Sequence, residues 1–243
     1  MKQNQSGCRL WTIGATFVCA LAFSTPSFGI VIVEHSGTNN PTSEGFTFVG
    51  GLGTFSTGPT NDNGTAAWNI TTDPTAFAAY EHNLTPGDLA LVTNLSRTFT
   101  VRLRILSDEV AGADRNIAAD VDFGGTAYVM QFGIDSSGNF VVTPQGWFTY
   151  TVPGGTEYHT VRMEDSGDGL FRFSIDGVLQ PNPGYTGISG GANRVAFGDF
   201  TQTGGSAENV NWAFVQLDVP EPSAAVLLGI GALLFQRRIR RNG

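Results

Sequence analysis

An all-β fold, with two antiparallel sheets packed as a sandwich, is what this sequence predicts, and three observations predict it. The 243 residues include 32 glycines and 18 phenylalanines, while charged residues make up only 14%. Many turns, many aromatics and few charges suit strands better than helices. Apolar and polar residues alternate at period two through the middle of the chain. Short clusters of Asp, Asn, Ser and Gly separate these runs, as tight turns require.

The elements follow in order. LTPGDLALV (84–92) predicts the module's one helix: Thr85 can cap it, Pro86 fits the first helical position, and Asp88 suits the positive end. In RTFTVRLRIL, Phe99, Val101, Leu103 and Ile105 share one face and Thr98, Thr100, Arg102 and Arg104 the other. In NIAADVDF, Ile117, Ala119, Val121 and Phe123 oppose Asp120 and Asp122. Tyr128, Met130, Phe132 and Ile134 share a face in TAYVMQFGID, as do His159, Val161 and Met163 in EYHTVRM, and Phe171, Phe173 and Ile175 in LFRFSID. NVNWAFVQLDV is apolar on both faces around Trp212–Val215, which predicts a strand covered on both sides. The segments 135–139, 164–169 and 176–177 read as turns. If 97–106 and 116–123 are neighbours joined by the SDEVAGADR loop, Arg102 lies near Asp120 and Asp122 on a polar strip.

No Pro/Ser-rich linker interrupts residues 30–219, so they form one domain. This module holds seven arginines against 20 acidic residues, a net charge of −13 within a chain of −8. Phosphate backbones would repel it, which excludes nucleic acid as a partner.

Residues 1–29 read as a secretory signal peptide. Lys2 and Arg9 give a positive start, and Trp11–Phe23 is mostly apolar but too short to span a membrane. Signal peptidase would cut after Gly29, with Ala22 as the competing site. Both cysteines, Cys8 and Cys19, lie within this segment, so the mature module has no thiol chemistry.

Catalytic signatures are missing. There is no Gly-x-Ser-x-Gly elbow, no His-Glu-x-x-His pair and no phosphate loop, and the three histidines at 35, 82 and 159 are widely spaced. His159 reads as a packed histidine with a satisfied ring. The carboxylates at 164–168 lack the ligand spacing of a dedicated calcium loop. No catalytic residue, metal or cofactor is assigned. Trp68, Tyr80, Trp147 and Tyr158, with Tyr150, are the aromatics available to stack on sugar rings, if they are exposed.

The hairpin series from Tyr158 to Leu179, and the pair Asn193–Phe200 and Asn211–Val215, resemble the strands of concanavalin A-like lectin/glucanase (laminin-G-like) jelly rolls. The resemblance covers about 60–219 and implies a jelly-roll sandwich, a fold that hosts lectins, glycosidases and adhesion modules. Retaining glucanases of this fold carry a strand motif Glu-x-Asp-x-x-Glu. Here Ala118 and Phe123 stand where the two glutamates belong, so the expectation is a non-enzymatic module that binds or associates with extracellular polysaccharide. A hydrolase with an unrecognised site and a purely structural envelope protein are the alternatives.

Residues 220–243 open with Pro220-Glu221-Pro222, continue through the apolar run 224–235 and close with Arg237, Arg238, Arg240 and Arg241. The twelve apolar residues make about 18 Å of helix against a hydrocarbon core of about 30 Å. The three parts in this order closely resemble a PEP-CTERM sorting signal. That resemblance implies a Gram-negative envelope protein whose tail is recognised by an exosortase, a membrane-embedded cysteine transpeptidase. The arginines hold the C-terminus cytoplasmic during an inner-membrane intermediate, before release to the cell surface or medium. Pro220 and Pro222 keep the motif out of the helix.

Overall fold

The computed structural model describes residues 29–108, 117–144, 148–165, 167–181, 184–200 and 207–219. In chain order the strands are β1 (Ile30–His35), β2 (Thr47–Gly51), β3 (Phe55–Asp62), β4 (Thr65–Thr72), β5 (Phe77–Asn83), β6 (Arg97–Asp108), β7 (Ile117–Phe123) and β8 (Thr126–Ile134). They continue as β9 (Phe140–Pro144), β10 (Tyr150–Val152), β11 (His159–Asp165), β12 (Phe171–Ile175), β13 (Val178–Leu179), β14 (Ile188–Ser189), β15 (Arg194–Asp199) and β16 (Glu208–Val219). One α-helix among the described residues, α1 (Pro86–Asn94), and a 3-10 turn at Pro41–Glu44 complete the list of elements.

Two antiparallel eight-stranded sheets form the sandwich that the composition and the period-two pattern predict, with the jelly-roll fold that the resemblance implies. The first sheet runs β13-β12-β11-β6-β16-β4-β3, with β1 also paired to β16; the second runs β10-β9-β8-β7-β15-β5-β2, with β14 paired to β8. The predicted inward faces meet between them. Phe99, Val101, Leu103 and Ile105 of β6 are fully buried, as are Val161 and Met163 of β11. Trp212 of β16 spans the gap, its ring centroid 5.2 Å from Phe197 and 6.0 Å from Phe132 of the other sheet. Truncating any one of these aromatics would cost about 3–5 kcal/mol, because the rigid sheets cannot collapse into the space.

Local chemistry accounts for the connections. The predicted helix carries a capping box: Asp88 N donates to Thr85 Oγ1 at 3.2 Å, and Thr85 N donates to Asp88 Oδ2 at 2.9 Å. Asp176-Gly177 turns β12 into β13 with φ of 51° and 79°, the left-handed pair that a two-residue hairpin needs. Around Trp212–Val215, Trp212, Ala213 and Val215 are buried and Phe214 is half-buried, in keeping with a strand covered on both sides.

One expected pairing is corrected. β6 lies in the first sheet and β7 in the second, so they are not neighbours. Arg102 therefore does not approach Asp120 and Asp122 as a cross-strand partner. Eight residues separate the described parts of the two strands, longer than the 2–5 of a tight hairpin and enough to change sheets. β7 instead sits centrally between β8 and β15, and all seven of its residues are buried.

Candidate functional face

β15 is hydrogen-bonded between β5 and β7, and the register sets a polar group on the outward face of the second sheet. Val195 and Phe197 point into the core, so Arg194, Ala196 and Gly198 point away from it. Ala196 lies opposite both Glu81 and Asp120, and Arg194 opposite Asp122. One row further along, Gly198 lies between Ala79 and Ala118. Small residues thus form a low floor, on which the longer polar side chains stand.

Arg194 organises the group. Its Nη1 donates to Glu81 Oε1, while Nη2 and Nε lie 3.3 Å and 3.4 Å from Asp120 Oδ2. Its guanidinium carbon stands 5.9 Å from the Phe200 ring. Burial pushes the Asp120 carboxyl up to about 6; Arg194 opposes the shift, and the neighbouring charges of Asp122 and Glu81 add to it. Asp120 Oδ1 is buried without a hydrogen-bond partner among the described residues. Asp122 Oδ2 accepts from the amides of Gly191 and Ala192, both at 2.8 Å, and so ties down the loop before β15. That loop has no room for a side chain at Gly190, whose Cβ would meet Asp122 Oδ2 at 2.7 Å.

Of this group Arg194 and Glu81 are partly exposed while Asp120 and Asp122 are buried, so the face turns a guanidinium and one carboxylate toward solvent, complementary to neighbouring hydroxyl groups. It also holds one carboxyl, Asp120, that keeps its proton in mildly acidic solution, up to about pH 6.

The predicted aromatic contacts are mostly elsewhere. Trp68 and Tyr80 belong to the core, which corrects the expectation that they stack on sugars: Trp68 Nε1 donates to Tyr80 Oη at 3.1 Å, and Tyr80 Oη to Thr57 Oγ1 at 3.0 Å. Both sit on inward positions of their strands, where alternation puts large rings in the interior. Tyr150 is buried as well. Tyr158 is half-buried on the first sheet, with the Arg102 guanidinium 5.3 Å from its ring centre. Burial and the nearby Asp62 push its hydroxyl up to about 12. Trp147, the sorting motif Pro220-Glu221-Pro222 and the tail Arg237, Arg238, Arg240 and Arg241 lie outside the described residues, as does the signal segment up to residue 28.

His159 is packed as predicted. It stacks on Phe140 with centroids 4.3 Å apart, Nδ1 lies 2.7 Å from Asp176 Oδ2, and Nε2 lies 2.8 Å from the Gly154 carbonyl. The acidic turns use their own oxygens: Asp165 Oδ1 accepts from the amides of Gly167 and Gly169, and Asp135 Oδ1 from those of Ser137 and Asn139. Sequence reasoning missed Glu81 and Arg194, which are 113 residues apart and meet only through strand register. It also missed His35, fully buried against Phe197 at 5.0 Å with Nδ1 2.6 Å from Glu44 Oε2.

Residues 218–241 match the family model of the PEP-CTERM protein-sorting motif, which marks exported proteins sorted to the cell envelope. No curated protein matches this chain. Among solved structures, the chain is similar to a conserved carbohydrate esterase from the Shiga toxin-encoding bacteriophage phi24B. Identity is 13% and the TM-score 0.59, over 79% of this chain and 100% of that one. It is also similar to botulinum neurotoxin type C, in a structure concerned with its interaction with two ganglioside molecules. There identity is 12% and the TM-score 0.50, over 77% of this chain and 46% of the other. The receptor-binding domain of the botulinum neurotoxin C/D mosaic serotype matches at 9% identity and TM-score 0.51, over 81% and 49% respectively. This chain spans about half the length of those two toxin chains. Likeness at these identities shows the sandwich fold alone. Among the described residues no helix is long and apolar enough to cross a membrane.

Proposed function

We propose that this chain is a non-enzymatic surface module that an exosortase sorts and that associates with extracellular polysaccharide through the Glu81–Arg194–Asp120 face. We read the sandwich as concanavalin A-like, exported after signal peptidase removes residues 1–29 and held in the inner membrane until the tail is processed. The observation that carries the sorting half is the PEP-CTERM match at 218–241, directly at the end of the last strand. The binding half rests on the outward face of the second sheet, where an arginine and two carboxylates converge over alanine and glycine. A guanidinium held by carboxylates presents fixed donors and acceptors, the groups that fix the orientation of a polar ligand.

A glycan array of the 30–219 module tests the binding half. Binding to at least one polysaccharide, lost on Arg194→Ala, is the expected result, and an array without any signal would end this reading.

One observation favours a second reading, a glycoside hydrolase-like enzyme. Asp120, with its carboxyl at about 6, has the property a general acid needs. Release of reducing sugar by the wild-type module, abolished in Asp120→Asn, would select that reading over the first.

A further inference from the structure

The end of β16 is held on both sides. From Val215 to Asp218 it pairs with β6, with Leu217 opposite Phe99 and Asp218 opposite Thr98. On its other flank it pairs with β1: Val215 opposite His35, Leu217 opposite Val33, Asp218 opposite Val31 and Val219 opposite Ile30. Val219 is fully buried. The sorting-motif match begins at residue 218, so its first two residues are strand residues of the sandwich and no spacer lies between the folded body and Pro220.

β1 is fixed at one end and apolar at the other. His35 anchors it in the core, whereas Ile30 and Val31 are 41% and 46% exposed beside the point where the tail leaves.

From this geometry, and resting on the exosortase reading above, we infer that Ile30 and Val31 form, with the end of β16, the docking edge for the membrane-embedded transpeptidase that cuts the tail. An extended chain advances at most about 3.6 Å per residue, so the Cα of Pro222 lies within about 11 Å of that of Val219. An enzyme that grips Pro220-Glu221-Pro222 cannot avoid the strand paired to Val219. Exposed apolar side chains at that place match a partner that works at the bilayer surface. The tail is then offered from a rigid edge that exists only once β1, the first strand, and β16, the last, have paired, so cutting selects folded chains.

The test co-expresses the full-length chain with an exosortase and follows loss of the tail by mass spectrometry. Ile30→Asp/Val31→Asp is the variant, compared among chains with the same mature N-terminus. Val178→Asp/Leu179→Asp is the control, because that still more exposed apolar pair on β13 lies four strands from β16, about 19 Å away. The expected result is tail removal slowed about tenfold in the first variant and unchanged in the control, with both unfolding at wild-type temperature. Val31→Asp alone serves the same purpose if the double variant folds poorly. Removal at the wild-type rate in the β1 variants would overturn the docking edge while leaving the exosortase reading intact. A wild-type tail that no exosortase removes would overturn both.

Discussion

Arg194 of β15 lies within 3.3 Å of Asp120 of β7 although neither strand is near the other in sequence, and their pairing places a carboxyl at about 6 in the middle of a sheet. The group is favoured in its protonated form by the fold. Its folded pKa lies above the ordinary 3.8, so the stability it lends is complete below about pH 4 and is lost as pH rises through about 6. The contribution has an upper bound of about 3 kcal/mol. Asp120→Asn, which keeps the shape and removes the titration, should flatten the stability profile between pH 4 and 6 relative to wild type. Denaturant midpoints measured across that range check it, and parallel profiles for the two proteins would contradict it.

His35 gives the opposite slope. Burial holds its ring below the ordinary 6.5, with Glu44 opposing that shift. The stability it lends is therefore present above pH 6.5 and lost as pH falls through the lowered value. His35→Ala should cost about 2–4 kcal/mol at pH 7, through loss of the stack on Phe197 and of the anchor for β1. Urea unfolding at pH 7 measures it, and a cost under about 1 kcal/mol would show that β1 is held without it.

Gly198 carries a backbone demand. Its φ is 138°, and an added Cβ would stand 2.4 Å from the Ala78 carbonyl oxygen and 2.6 Å from the Ala79 Cα. Neither backbone atom can swing aside. Gly198→Ala should lower stability by more than about 2 kcal/mol and disturb the Glu81–Arg194–Asp120 face through β5 and β15. Thermal unfolding and the glycan array on the same variant check both effects.

Trp68 and Tyr80 should behave as core residues. Trp68→Ala is expected to cost about 3–5 kcal/mol while leaving any polysaccharide specificity of the folded fraction unchanged. A glycan array run below the unfolding temperature separates the two roles, since a specific loss of binding at full stability would return Trp68 to the ligand face.

Much of the fold is written in the period-two runs. Phe99 to Ile105 and Val161 to Met163 read correctly because a strand covered on one face by the other sheet must alternate. The Thr85–Asp88 capping box is equally local. β7 was harder: Asp120 and Asp122 alternate like solvated residues, yet both are buried, one by Arg194 and one by the amides of Gly191 and Ala192. Those partners come from about 70 residues away, so strand order rather than sequence spacing brings them together. The Arg102 pairing failed for the same reason, since alternation gives a residue its face but not its sheet. The PEP-CTERM motif was legible because its parts are contiguous and need no folding to be read.

In the reading proposed above, this chain reaches the envelope as an exosortase substrate. Mass spectrometry of the mature protein from exosortase-bearing cells tests it most directly. The expected C-terminus lies close to Pro220-Glu221-Pro222, without the apolar run and without Arg237 to Arg241. A mature chain that still carries Arg241 would contradict it.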